Sequence, residues 1–262
     1  MVGVFEAVLL GALQGVTEWL PISSSGHLAL AQMLLGMQVP LLFDVLLHAG
    51  TLLAVLAFFR KDAWKMLSAA LRLDFRSEYG RLAVMVAIGT APVALAGFLL
   101  HDAIGALFGS PFAIGVSMLL MGALLYATRL FRPAEGRGVG VKDALYIGAA
   151  QALSLVPGIS RSGSTIAAGL SRHIDRQKAL LFSFMLSIPA VVGANAFELY
   201  NAGAAGLDAI GLEGVAAVAV AAVVGYAAIL LLKKVFDSGR LHMFAYYCWA
   251  VGAAVIAYSL FL

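Results

Sequence analysis

The chain has 262 residues, of which 62% are hydrophobic and only 12% charged, and its mean hydropathy is +0.97. A water-soluble domain carries about 25% charged residues, so this composition excludes a soluble globular protein and reads as an integral membrane protein. The net charge of +3 says little as a total; no nucleic-acid partner is expected, and the single cysteine, Cys248, excludes an internal disulfide and a metal–thiolate cluster.

Met1 to Phe5 contain no basic residue and do not read as a cleavable signal peptide. The first apolar stretch, about 3–36, is interrupted at Pro21 and by Ser23, Ser24, Ser25 and Gly26. A first uninterrupted run follows at 41–59, then six basic residues between Arg60 and Arg81. Runs at 82–100 and 111–131 lead to a second basic group, Arg129, Arg132, Arg137 and Lys142. The stretch 144–171 is apolar but broken at Pro157, Gly158 and Ser160 to Gly163, and Arg172, Arg176 and Lys178 come next. The run 179–200 precedes a segment, 201–213, that has Asp208 and Glu213 and no Lys or Arg. The runs 214–232 and 243–262 flank a last basic group, Lys233, Lys234 and Arg240.

Runs of about 20 apolar residues span a bilayer, and basic loops stay inside. Threading the six runs with the basic groups inside puts both ends of 144–171 inside and both ends of 3–36 outside. Each therefore enters the membrane and turns back. The expected fold is an all-α polytopic membrane protein with an inverted-topology repeat. Each repeat is a re-entrant helical hairpin followed by three transmembrane helices, giving six spans and two hairpins. Repeat one covers about 1–131, repeat two about 144–262, and a cytoplasmic linker about 132–143. In such architectures the broken hairpins meet near the midplane and line a polar cavity.

The break points repeat in sequence. Gln14, Ile22, Ser23, Ser25 and Gly26 recur 137 positions later as Gln151, Ile159, Ser160, Ser162 and Gly163. The differences carry the chemistry. The first copy has Glu18, Ser24 and His27; the second has Arg161 in place of Ser24. A carboxylate deep in an apolar hairpin costs several kcal/mol, roughly, unless it has a partner. Arg161 keeps its charge and its planar fork suits phosphate oxygens. Ser23, Ser25 and Gly26, with Ser160, Ser162 and Gly163 at the matching positions, open onto following helices, where they either offer N–H groups as an anion site or simply cap the next helix. Gln14 lies one helical turn from Glu18. Asp44 and His48, at i and i+4, are expected to form a polar patch or to pair with each other. Aromatic residues and methionines in the spans are expected to be core and interfacial belt.

The stretch Gln14-Gly-Val-Thr-Glu18 followed by Pro21-Ile-Ser-Ser-Ser-Gly-His27 resembles the [EQ]-x-x-x-E and P-x-S-S-[ST]-G-H signature of the undecaprenyl-diphosphate phosphatase family, also called the bacitracin resistance protein family. Pro157-Gly-Ile-Ser160-Arg161-Ser162-Gly-Ser-Thr165 resembles its P-G-x-S-R-S-x-x-T motif, and the likeness extends to the Phe43-Asp44 run and the repeat layout. The resemblance implies hydrolysis of undecaprenyl diphosphate to undecaprenyl phosphate and inorganic phosphate, which recycles the lipid carrier of peptidoglycan synthesis and confers bacitracin resistance. It also implies a divalent cation, Mg²⁺ or Ca²⁺, a bacterial plasma-membrane location and a homodimer. Gln14 stands where some members carry glutamate, which weakens a metal site with two carboxylates from this helix. Within this chemistry Arg161 holds the diphosphate, Glu18 touches a cation bridging phosphate oxygens, Ser24 or a water attacks the terminal phosphorus, and Glu18 or His27 handles the proton. A transporter or flippase of an isoprenoid phosphate is the alternative that the inverted repeat equally suits. A lipid phosphatase of the phosphatidic-acid type needs a histidine six positions after Arg161, where Ala167 stands.

Overall fold

The computed structural model describes residues 3–37, 39, 41–208 and 211–261, and among them it is built of helices and turns. Chain order gives α1 (Val4–Trp19), α2 (Ser24–Leu34), α3 (Leu41–Phe58), α4 (Arg60–Leu71), α5 (Glu78–Leu99), α6 (His101–Phe108) and α7 (Pro111–Ala127). After a linker come α8 (Val141–Leu153), α9 (Arg161–Ser171), α10 (Arg176–Asp208), α11 (Leu212–Asp237) and α12 (Phe244–Ser259). Five helices are long and apolar enough to cross a membrane, namely α5, α7, α10, α11 and α12, of which α7 and α12 are prolonged at one end by a short 3₁₀ turn. With α3, which bends by 90° into α4, the number reaches six. Large apolar side chains face outward around the bundle, among them Phe5, Leu53, Phe98, Phe112 and Val223, as a lipid-facing surface requires. The chain is a multi-pass membrane protein.

Two elements depart from the sequence reading. The basic region after the first span is a helix, α4, and not a loop. Trp64, Leu67 and Leu71 share one exposed face, the i, i+3, i+7 stripe of a helix lying along a membrane surface. The short α6 also lies between two spans that the apolar runs alone would join by a loop. The segment 201–208 continues α10; positions 209 and 210 lie outside the described residues.

The two broken stretches form helical hairpins for the same local reason. Leu20 leaves α1 in an extended conformation, and Pro21 cannot continue the helix. Ser23 then starts α2, its Oγ accepting the Gly26 N–H at 3.3 Å. In the second hairpin Pro157 and Gly158 break the chain, and Ser160 Oγ accepts the Gly163 N–H at 3.2 Å to start α9. Gly158 has φ +97, and a Cβ there would fall 2.6 Å from the Ile114 carbonyl oxygen and 2.6 Å from Ser117 Cβ, so only glycine fits.

Helix packing follows the repeat. α1 packs on α11, and its counterpart α8 packs on α5; α3 packs on α10, and α7 on α12. Gly11 and Gly148, 137 positions apart, bring α1 against the backbone of Ala217 and α8 against the backbone of Gly89. Gly115 and Gly252, separated by the same 137 positions, meet each other. A Cβ on Gly115 would lie 2.9 Å from the Gly252 oxygen, and one on Gly252 would lie 2.8 Å from the Gly115 oxygen. A residue touching its own counterpart marks the axis that relates the halves. Small residues at such crossings let backbones approach where lipid supplies no hydrophobic drive.

The linker is fastened to the second hairpin. The buried Asp143 carboxylate accepts from Arg172 Nε at 2.8 Å, from the Gly140 N–H at 3.2 Å and from Arg137 Nη2 at 3.3 Å. Burial pushes this carboxyl up, but the Arg172 and Gly140 hydrogen bonds and the two guanidinium charges outweigh it and hold it below the usual carboxylate range. Asp175 accepts from the Gly136 N–H at 3.1 Å.

The sidedness remains an expectation of the charge pattern, and cysteine labelling tests it. With Cys248 replaced, an impermeant thiol reagent applied to intact spheroplasts should label Leu212→Cys and spare Arg72→Cys and Arg137→Cys. The opposite pattern would remove the threading with basic loops inside.

Candidate active site

The tips of the two hairpins touch. Ser23 Oγ also accepts the Gly158 N–H, at 3.1 Å, and Ser162 Oγ donates to the Leu20 carbonyl at 3.4 Å. A Cβ on Gly26 would stand 3.1 Å from Gly158 Cα, and one on Gly163 would stand 3.0 Å from Pro21 Cβ. The starts of α2 and α9 therefore converge. Their first-turn N–H groups have no carbonyl inside the helix to bond, and both positive dipole ends favour an anion.

Ser24 and Arg161 are the first residues of these two helices, and Glu18 lies between them. The Glu18 side chain is 3% exposed. Its Oε1 pairs with Arg161 Nη2. Its Oε2 accepts from Ser24 Oγ at 2.5 Å and from Gln14 Nε2 at 3.0 Å. His48 Nε2 is 3.5 Å from the same oxygen. The Arg161 guanidinium also sits over the Trp19 ring, 5.9 Å from its centroid. The structure thus brings Gln14, Glu18, Ser24, His48 and Arg161 into one constellation drawn from α1, α2, α3 and α9. Chemically it is a hydroxyl on a carboxylate, beside an arginine, at two helix starts. A charge-assisted bond as short as Ser24–Glu18 suits proton transfer from the hydroxyl.

Other expected residues stand elsewhere. Asp44 and His48 do not pair through their side chains. The Asp44 carboxylate takes two bonds from Gln32 Nε2, at 2.8 and 3.0 Å, while His48 Nδ1 lies 2.8 Å from the Asp44 carbonyl. That bond turns the other ring nitrogen towards Glu18. His27 does not reach Glu18: Nδ1 lies 2.7 Å from the Ser23 carbonyl and Nε2 lies 2.8 Å from Tyr247 Oη. The hydroxyls of Ser23 and Ser160 cap helices, Ser25 Oγ lies 3.3 Å from Ser23 Oγ, and Thr165 Oγ1 bonds the Arg161 carbonyl and Ser183 Oγ. These groups, with Gly26 and Gly163, build the tips rather than project beyond them. Ser23 has φ +72. A non-glycine residue there costs on the order of 1–3 kcal/mol, and such strain gathers at functional sites.

An apolar groove of about 700 Å³ runs along α1, α11 and the start of α12. Leu13, Val16, Leu20, Ile22, Leu231 and Tyr247 are among its walls. Ile22 adjoins Ser23, so the groove ends at the hairpin tip.

Comparison with known sequences decides the family. The family model for the bacitracin resistance protein BacA matches residues 7–254. The chain belongs to the BacA family. Among curated BacA-like relatives, an undecaprenyl-diphosphatase of Korarchaeum cryptofilum (strain OPF8) is 40% identical over 261 residues, covering 96% of this chain and 98% of that protein. One of Desulfatibacillum aliphaticivorans is 43% identical over 269 residues, covering 96% and 97%. One of Methanosphaera stadtmanae (strain ATCC 43021 / DSM 3091 / JCM 11832 / MCB-3) is 38% identical over 280 residues, covering both chains in full.

Sequence reasoning missed Trp19 under the guanidinium, Gln32 on Asp44 and Tyr247 on His27. Trp19 adjoins Glu18 and its place in the motif could have shown it. Tyr247, 220 positions from His27, had no local signal.

A divalent cation is a property implied by the BacA resemblance. Among the described residues no three His, Cys, Asp or Glu side chains are placed to hold a metal ion. Both Glu18 oxygens are already engaged and their charge is met by Arg161. These residues do not fit a metal cage made by the protein alone.

Proposed function

We propose that this protein hydrolyses undecaprenyl diphosphate to undecaprenyl phosphate and inorganic phosphate. The observation that carries the reading is the Ser24–Glu18–Arg161 linkage at two converging helix starts, in a chain whose relatives bear the undecaprenyl-diphosphatase name. The diphosphate binds with its terminal phosphoryl group on the Arg161 guanidinium and the first-turn N–H groups of α2 and α9. Glu18 takes the Ser24 proton as Oγ attacks the terminal phosphorus. The bond from that phosphorus to the bridging oxygen breaks, and undecaprenyl phosphate leaves with that oxygen. The departing phosphate oxygen takes the proton from Glu18. Glu18 then deprotonates a water that attacks the phosphoserine phosphorus, the Ser24 Oγ–P bond breaks, Oγ takes the proton back from Glu18, and inorganic phosphate leaves. Charge on the equatorial oxygens is met by Arg161 and the helix dipoles. The polyprenyl tail lies in the apolar groove, whose end at Ile22 delivers the headgroup to the tip.

In this reading the protein recycles the lipid carrier of peptidoglycan synthesis in a bacterial plasma membrane and acts as a homodimer. A divalent cation would need oxygens of the diphosphate besides Glu18 to be held, and Mg²⁺ should show no binding to the protein without diphosphate. The test is phosphate release from undecaprenyl diphosphate by the purified protein in detergent, where vectorial transport is abolished. Stoichiometric release at catalytic protein concentration is expected. A flippase of an isoprenoid phosphate would bind the lipid and release nothing.

A further inference from the structure

Tyr247 belongs to no sequence motif and by its type reads as an interfacial belt residue, yet its contacts tie it to the nucleophile. Ser23 O only accepts, so His27 Nδ1, 2.7 Å away, carries the proton. In the neutral ring Nε2 is then an acceptor, and Tyr247 Oη, 2.8 Å away, donates to it. The two rings are stacked, 5.7 Å apart with planes 16° from parallel, so the histidine is held in plane as well as in tautomer. The chain of bonds runs from Tyr247 through His27 to the carbonyl of Ser23. That residue holds an unusual backbone at φ +72, receives N–H groups from both hairpins and precedes Ser24. Tyr247 as a whole is 43% exposed and forms part of the apolar groove.

We propose that Tyr247 is a positioning residue that also reads the substrate's tail. Its hydroxyl, through His27, fixes the Ser23 backbone that places Ser24 on Glu18. Its ring packs against an isoprenoid chain lying in the groove. One side chain thus joins the apolar subsite to the nucleophile without touching the reacting phosphorus. His27, with both ring nitrogens occupied, serves as the intermediate of this clamp rather than as the base. The inference rests on the phosphatase reading above and extends it to substrate-class selection: diphosphates whose chain is long enough to reach Tyr247 are favoured.

The test compares kinetics of phosphate release from undecaprenyl diphosphate and from the shorter farnesyl diphosphate. Tyr247→Phe keeps the ring and removes the donor. It should lower kcat about fivefold to tenfold on both substrates, the loss expected for one positioning hydrogen bond, with KM unchanged. Tyr247→Leu keeps apolar bulk and removes both ring and hydroxyl. It should lower kcat similarly and raise KM for undecaprenyl diphosphate by more than for farnesyl diphosphate. In a His27→Ala background Tyr247→Phe should have no further effect on kcat. Because a loss of folded protein would also lower apparent kcat on both substrates at constant KM, kcat is referred to the folded fraction measured by size-exclusion chromatography for each variant. Wild-type kcat for Tyr247→Phe, or an undiminished effect in the His27→Ala background, would overturn the clamp. Equal KM changes on the two substrates would overturn tail reading. Wild-type protein that releases phosphate from neither substrate would instead overturn the phosphatase reading itself.

Discussion

Replacing Ser24 with alanine should abolish turnover to within background, a loss of about 10³-fold or more, while leaving substrate binding nearly intact. The expectation follows from the 2.5 Å bond to Glu18 Oε2: the hydroxyl is already on its base and stands at the start of α2, where developing charge is met. Ser23→Ala and Ser25→Ala should do less, because those hydroxyls cap and brace the tip. Glu18→Gln should be as inactive as Ser24→Ala, since an amide cannot take the proton. It also leaves the Arg161 charge without its carboxylate, and breaking a buried pair from one side costs about 3–5 kcal/mol. The folded fraction should therefore be measured by size-exclusion chromatography beside phosphate release. The roles separate cleanly in one outcome: full turnover in Ser24→Ala with none in Glu18→Gln makes water, activated by the carboxylate, the nucleophile.

The parts of this fold that the sequence revealed are those governed by local rules. The six spans follow from apolar run length. The two hairpins follow from Pro21, Pro157 and the serines that cap α2 and α9, and the repeat follows from Gln14 and Gln151 with their shared offset. Glu18, Ser24 and Arg161 could be picked out because a charge or hydroxyl at a break in an apolar hairpin needs a reason. What remained hidden depends on distant packing. The i, i+4 spacing of Asp44 and His48 suggested a pair, but Gln32 takes the carboxylate and frees His48 to face Glu18. His27 sits beside the serines in sequence, but helix α2 rotates it away from Glu18 and towards α12. The α4 helix was concealed because its basic residues signalled sidedness, while its Trp64, Leu67 and Leu71 stripe was too short to register as a span. Burial adds its own logic. Gln151, the counterpart of Gln14, keeps its place in the fold without a Glu18 equivalent, because Leu155 stands there. The two hairpins thus share a scaffold, and only the first carries the carboxylate.

Arg161→Lys should be nearly as damaging as Arg161→Ala. A guanidinium offers five N–H donors in a rigid plane. Here one edge meets Glu18 Oε1 and the face lies over Trp19, which leaves the other donors directed in a fixed fan for phosphate oxygens. An ammonium is a point charge on a shorter reach. It can satisfy Glu18 or the phosphate, but it cannot bridge them bidentately or stack as a plane on the indole. The loss should therefore fall on both binding and rate, about 2–4 kcal/mol in total, or roughly 30- to 1,000-fold in kcat/KM. The measurement is phosphate release against substrate concentration for wild type, Arg161→Lys and Arg161→Ala, with folded protein quantified in each. The lysine variant keeps a cation opposite Glu18, so its folding should suffer less than that of the alanine variant even though its activity is little better. That divergence is informative, because a purely structural ion pair would let activity track folding. A lysine variant with near wild-type kcat/KM would mean that the guanidinium fork makes no contact with the reacting diphosphate, and the anion site would then reduce to the helix starts alone.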